Sequence, residues 1–239
     1  MTDFHIEEIA PLCGNFGVTL DSLAAERLNL YGNLLLEWNE KMNLTAITEP
    51  REVLYKHFYD CILLFKNVKI PQNARVIDVG TGAGFPGLVL KIVRPDIDVT
   101  LLDGLNKRLV FLNEVIEKTG LSGIRTLHLR AEEGGRNPEY REKYDLAYAR
   151  AVARLPVLLE YCLPFVKKGG MFVAMKGPSA EEEAAEAQNA VRLLGGGKPD
   201  IICEKLPDNE RRAFITVKKI SQTPPKYPRI SAKISKQPL

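Results

Sequence analysis

The stretch Val76-Ile77-Asp78-Val79-Gly80-Thr81-Gly82-Ala83-Gly84-Phe85-Pro86-Gly87 decides the fold. Val76 to Val79 is rich in β-branched residues, the composition of a buried parallel strand, and it stops at a glycine-rich turn. Pro86 follows where a first helical turn would open, a place where its missing N–H costs no hydrogen bond. Glycines let the backbone bend sharply and come close to a ligand, with free N–H groups pointing at it. This reads as a nucleotide-type site at the carboxyl end of the first strand of a doubly wound sheet.

Around this turn strand and helix patterns alternate, the mark of a parallel sheet with helices on both faces. Strands are predicted at Arg75 to Val79, Asp98 to Asp103, Ile124 to Leu129, Asp145 to Ala149, Met171 to Met175, Ile201 to Leu206 and Phe214 to Ile220. The short link from Pro207 to Arg212 suits an antiparallel hairpin, so the last strand is expected to run against the others. Ala180 to Leu194, rich in Glu and Ala, predicts one strong helix ending at Gly195-Gly196-Gly197.

Ahead of the sheet, residues 1–70 read as a helical cap. A short amphipathic segment covers Phe4 to Phe16. A second helix, N-capped by Asp21, carries Leu23, Leu30, Leu34, Leu35, Trp38 and Met42 as one apolar stripe. A third, from Arg51 to Phe65, turns Val53, Leu54, Phe58, Cys61, Ile62 and Phe65 inward. Trp38 reads as a packing anchor between cap and sheet, in preference to a platform for a nucleobase. Residues 71–220 form the sheet domain. Residues 221–239, with four prolines, no acid and few apolar residues, are expected to be a mobile arm.

Composition narrows the function classes. With 45% hydrophobic residues in 239, the chain buries one sizeable core. No apolar run approaches the roughly 20 residues that cross a bilayer. Cys13, Cys61, Cys162 and Cys203 are scattered, as reduced thiols of a cytoplasmic protein are. The three histidines are equally dispersed, so no metal is expected. The net charge of +3 conceals an asymmetry. Eight basic residues and no acid lie from Arg211 onward, leaving 25 basic against 30 acidic residues before it, a net of −5. A basic tail on an acidic body suits a polyanionic partner, or simply a solvated, solubilising tail.

Two cofactor classes use a glycine turn after strand one and an acid after strand two. Asp103 ends strand two, where a carboxylate can accept hydrogen bonds from both ribose hydroxyls. Nicotinamide sites favour Gly-x-Gly-x-x-Gly around a pyrophosphate. Here the spacing is Gly80-x-Gly82-x-Gly84, preceded by Asp78, which can help hold the ammonium of S-adenosylmethionine. Both acids also have a local reading, Asp78 capping the turn and Asp103 the next helix. After strand three, the Ala131 amide and Glu132 carboxylate can read an adenine edge. Asp78, Gly80, Gly82, Asp103, Ala131 and Glu132 all fall at carboxyl ends of neighbouring strands.

These residues, together with Glu37 to Thr45, Lys56-His57-Phe58-Tyr59-Asp60, Leu102 to Arg108, Ala149-Arg150-Ala151-Val152-Ala153, Met175-Lys176-Gly177 and Lys226-Tyr227-Pro228-Arg229, carry a resemblance over nearly the whole chain. The chain resembles the ribosomal RNA small subunit methyltransferase G family, also called glucose-inhibited division protein B. The family commonly has Ser where Gly104 stands, and only part of it has the Lys226 to Arg229 tail. The resemblance implies a Rossmann-like class I S-adenosylmethionine-dependent methyltransferase, with a mostly parallel seven-stranded sheet and an N-terminal helical cap. It implies methyl transfer to guanine N7 in the 530 loop of bacterial 16S rRNA. Position by position, it carries Gly80, Phe85, Ala131, Glu132 and Arg150 into the cofactor site.

Guanine N7 has an in-plane lone pair and no proton to lose, so no general base is required. No catalytic side chain is expected beyond alignment of donor and base, with Arg150 a candidate to orient the base. Arg154, Lys176, Lys218, Lys219, Lys226 and Arg229 are the expected RNA contacts. The partner is 16S rRNA or the small subunit, with no membrane, and the protein is expected to be a monomer. The rival readings are a nicotinamide-dependent oxidoreductase, a small-molecule methyltransferase and a non-catalytic RNA-binding protein on the same fold.

Overall fold

In the computed structural model, which describes residues 2–239, seven strands form one sheet in the order β3-β2-β1-β4-β5-β7-β6. They are β1 (Arg75–Val79), β2 (Asp98–Asp103), β3 (Ile124–His128), β4 (Tyr144–Arg150), β5 (Val166–Lys176), β6 (Asp200–Lys205) and β7 (Arg211–Lys218). Strands β1 to β5 pair in parallel, whereas β7 runs antiparallel to both β5 and β6. The predicted hairpin and reversed last strand are therefore present. Val76 to Val79 are buried on both faces of the sheet, as their unbroken apolar run requires. From β1 the chain crosses to β2 and β3 on one side, then returns to β4 and β5 on the other. The crevice where these directions part lies at the carboxyl end of β1.

The helices that position the site are α1 (Ala10–Gly14), α2 (Ser22–Asn39), α3 (a helical run over residues 50–67), α4 (Gly87–Val93) and α5 (Asn106–Lys118). They continue with α6 (Ala131–Gly134), α7 (Leu155–Cys162), α8 (Ala180–Glu186), α9 (Gln188–Leu194) and α10 (Ser231–Lys236). Asp21 caps α2 by accepting from the Ala24 N–H at 2.7 Å. The buried stripe of α2 is Ala24, Leu28, Tyr31 and Leu35, with Leu34 and Gly32 beside it, while Leu23 is half exposed. The register differs from expectation because the helix is covered on two sides, by Phe4 over Gly32 and by the sheet domain. Cap and sheet share one apolar cluster, in which Phe4, Leu28 and Phe58 join Leu88, Leu101 and Phe111. Trp38 packs at 5.8 Å from Phe111 and donates to Glu114, in keeping with the anchoring role.

Two expectations are corrected. The helix predicted over Ala180 to Leu194 is two helices, jointed at Ala187. The arm beyond residue 220 is packed. Tyr227 and Ile234 are buried, and Arg229 forms a two-pronged pair with the fully buried Glu160 at 2.6 to 3.1 Å. Arg141 donates to the carbonyls of Thr223 and Tyr227, which straps the segment to the body. A cation with a buried carboxylate waiting for it is invisible to composition. Among the described residues no helix is long and apolar enough to cross a membrane.

Candidate active site

The glycine turn is built for close approach. Gly80 and Gly82 hold φ of 72° and 60°, which disfavour a side chain. A Cβ on Gly82 would meet nothing nearer than the Gly80 carbonyl at 3.9 Å, so this part of the turn faces open space. On Gly80 it would strike Val152 at 2.8 Å, because the loop after β4 lies across the turn. The N–H groups of Gly80 and Thr81 both donate to the Leu102 carbonyl, at 2.8 and 3.0 Å. From the cap, the Tyr31 hydroxyl donates to the Ala83 carbonyl.

Asp78 is fully buried beneath this turn. Its Oδ2 accepts from the Thr81 hydroxyl at 2.7 Å and the Gly87 N–H at 2.9 Å, so it caps the turn and the start of α4. Oδ1 has no partner among the described residues. Burial pushes the carboxyl up to about 6, opposed by those two hydrogen bonds and by Arg150. Asp103 is also capping. Oδ2 accepts from the Gly82 N–H at 2.9 Å and from Arg108 at 3.3 Å, and Oδ1 from the Leu105 N–H at 2.8 Å. It ties the end of β2 directly to the glycine turn. Beyond β3, the N–H groups of Ala131 and Glu132 open α6 with no acceptor among the described residues. The partly exposed Glu132 carboxylate has no hydrogen bond or ion pair among them either. The three strand ends are adjacent, through Val79↔Leu102 and Asp103↔His128.

At the end of β4, Arg150 lies 4.9 Å over the Phe85 ring, and the His57 ring stacks on Phe85 at 4.4 Å. Arg150 donates to Asp60 at 3.2 Å and contacts His57 Nδ1 at 3.1 Å. Nδ1 also lies 3.1 Å from the Lys56 carbonyl, and Nε2 lies 2.8 Å from the Thr45 hydroxyl, so both ring nitrogens are engaged. Burial first, then Arg150, lowers the His57 pKa to about 3. Asp60, 3% exposed, also accepts from Arg212 of β7 at 3.0 Å. Burial raises its pKa while both arginines oppose the rise. Sequence reading assigned no role to Tyr31, Thr45, His57, Asp60 or Arg212. A signal existed for Asp60, an acid among the inward positions of a helix otherwise apolar there.

The expected RNA contacts divide. Lys219 is completely buried, its Nζ bonded to the Leu163 carbonyl and the Thr223 hydroxyl, which removes it from any phosphate-facing set. Arg229 is likewise committed to Glu160. Arg154 pairs with Glu182 and Glu186, at 3.2 and 2.7 Å. Lys176 pairs with Glu183 at 2.7 Å and the Ala153 carbonyl at 2.6 Å. Lys218 and Lys226 are exposed.

Residues 24–211 match the family model GidB, described as rRNA small subunit methyltransferase G. The chain is 55% identical over 225 residues to ribosomal RNA small subunit methyltransferase G of Acetivibrio thermocellus, covering 94% of this chain and 92% of that one. It is 52% identical to the protein of that name from Desulforamulus reducens, covering 87% and 88%. Among solved structures, a 16S rRNA (adenine(1408)-N(1))-methyltransferase from Catenulisporales acidiphilia superposes with a TM-score of 0.53 at 16% identity. That likeness covers 66% of this chain and 88% of that one, and speaks to the fold.

Proposed function

The chain belongs to the rRNA small subunit methyltransferase G family, and from that premise we propose that it methylates N7 of a guanine in the 530 loop of 16S rRNA. It uses S-adenosylmethionine and acts as a cytoplasmic monomer on the small subunit or its rRNA. The observation that carries the reading is the alignment of Asp78, Gly80 and Gly82, then Asp103, then Ala131 and Glu132, along three adjacent strand ends. The residues fit the cofactor chemically. Asp78 has a buried carboxylate oxygen without a partner, suited to the field of an ammonium. Asp103 has room for a further hydrogen bond, and the turn at Gly82 is open. Free N–H groups at Ala131 and Glu132, with the Glu132 carboxylate, match the acceptor and donor pattern of an adenine edge.

When bound, S-adenosylmethionine supplies an electrophilic methyl group on a sulfonium. The protein's task is alignment, since N7 presents its lone pair without losing a proton. No side chain here is placed to act as a base. His57 is neutral with both ring nitrogens engaged, and both oxygens of Asp60 are held by arginines. Arg150, fixed over Phe85 by the cap, forms the wall between the glycine turn and the acceptor side. N7 lies in a groove that side chains cannot read in an RNA helix, so the base must be unpaired or extruded. Lys218 and Lys226 are the exposed candidates for phosphate contact. The test is incubation with labelled cofactor and undermethylated small subunits, followed by mapping of the modified nucleotide. Label at guanine N7 in the 530 loop supports the proposal; label elsewhere, or none, overturns it.

A further inference from the structure

Between the cap, the carboxyl ends of β4 and β5 and the amino end of the antiparallel β7 lies a cavity of about 360 Å³. It shares Arg150 and Ala151 with the strand end beside the glycine turn, since β4 pairs with β1 and Val152 rests on Gly80. Ile47, Met175 and Phe214 supply apolar wall, the kind of surface that faces a flat ring. The polar side chains lining it are Lys56, Arg150, Lys176, Arg212, Asp60 and His57.

The two groups in that set that can accept are engaged by neighbouring residues. Asp60 gives Oδ1 to Arg212 at 3.0 Å and Oδ2 to Arg150 at 3.2 Å. His57 has Nδ1 against Arg150 and the Lys56 carbonyl, both at 3.1 Å, and Nε2 against Thr45. Four of the six polar side chains lining the cavity, Lys56, Arg150, Lys176 and Arg212, can only donate, and of these Lys56 and Lys176 are paired with Glu52 and Glu183. Arg150 and Arg212 come from strands on either side of β5, and the single carboxylate of Asp60 draws them together.

Resting on the function proposed above, we propose that this cavity receives the acceptor base and reads it as guanine through O6. Arg150 and Arg212 are the donors, and Asp60 is the positioning residue that holds both guanidiniums in place. Guanine and adenine each offer N7, so N7 cannot distinguish them. They differ at position 6, where guanine has an acceptor oxygen and adenine a donor amino group. A wall of donors accepts the first and leaves the second facing unpaired N–H groups, which a buried site rejects strongly.

Base analogues test this on the unaltered protein. Small subunits are reconstituted from ligated 16S rRNA carrying guanine, inosine, 2-aminopurine or adenine at the acceptor position. Inosine keeps O6 and lacks the 2-amino group; 2-aminopurine does the reverse. Inosine is expected to be methylated at a rate near that of guanine, and 2-aminopurine and adenine about tenfold more slowly or worse. Equal rates for guanine and 2-aminopurine, with inosine poor, overturn the O6 reading alone. No transfer to guanine itself overturns the proposed function, and the cavity's role with it.

Arg212→Gln and Arg212→Lys supply the second arm, with melting temperature followed in parallel. Arg212→Gln is expected to lower kcat/KM for the guanine subunit about tenfold and to narrow the preference for inosine over 2-aminopurine. Cofactor affinity should stay within about twofold, because Arg212 lies away from the β1–β2–β3 rim. Arg212→Lys should recover part of the rate and little of the preference, since an ammonium lacks the planar fork. Full preference retained in a folded Arg212→Gln overturns the assignment, and if that variant does not fold, the analogue series decides.

Discussion

Tyr31 of α2 donates its hydroxyl hydrogen to the carbonyl of Ala83, in the middle of the glycine turn. The donor is fully buried, and its ring lies 5.3 Å from Phe85 and 5.6 Å from Phe58. The cap therefore grips the glycine turn from behind, and in the proposed mechanism the two regions act together.

Tyr31→Phe removes that grip and little else, as the ring remains. The Ala83 carbonyl is left without its buried donor, a loss of about 1–2 kcal/mol in stability. The turn is freed to relax, so calorimetry should show weaker S-adenosylmethionine binding by several-fold. Unchanged cofactor affinity beside a lowered melting temperature would show that the bond serves folding alone.

In the proposed site, Asp78 should make cofactor affinity pH-dependent. Burial pushes its carboxyl up to about 6, and a nearby ammonium favours the charged form. Below pH 6 binding must therefore displace a proton, and the dissociation constant should rise as pH falls from 7 to 5. The slope approaches tenfold per pH unit once the acid is protonated. Asp78→Asn should bind weakly with that inflection gone. An identical pH profile in the variant would assign the titration to another group.

His57 sets a separate acid limit, on stability. Its folded pKa of about 3 lies below the ordinary value of 6.5, so the unfolded chain binds the proton more readily between these values. Its contribution is complete above about pH 6.5 and is lost progressively as pH falls through that window, at up to about 1.4 kcal/mol per unit. Urea unfolding from pH 7 to 4.5 should show a steeper loss in the native protein than in His57→Gln. Parallel lines would mean that Arg150 and burial do not hold the imidazole neutral.

How far the sequence disclosed all this depends on the range of the interaction. The strands were legible because Val76 to Val79 and their neighbours are buried on both faces, which demands unbroken apolar runs. The proposed cofactor rim could be read from sequence because its residues sit at strand ends and glycine turns, features of local chain. Asp78 and Asp103 prove to act on that rim partly through the turn, as caps. Asp60 and Arg212 meet across 152 positions, and the spacing of neither residue announces the other. The tail misled for the same reason, since its charge was visible and its buried partners were not.

That last contrast gives a prediction about two kinds of cation in one basic segment. Arg229 has its guanidinium on Glu160, which is fully buried, whereas Lys218 and Lys226 stand exposed. Removing one partner of a buried pair strands the other charge, so Arg229→Ala should cost about 3–5 kcal/mol of stability. It should leave the salt dependence of RNA binding as it was. Reversing Lys218 and Lys226 to Glu should do the opposite, with melting temperature nearly unchanged. Each lost phosphate contact should lower the slope of log affinity against log salt by about 0.7–0.9. Gel-shift titrations over a range of salt, paired with thermal melting, separate the two. A flattened slope in Arg229→Ala, or an unaltered one in the Lys218/Lys226 double variant, would reverse this division of labour.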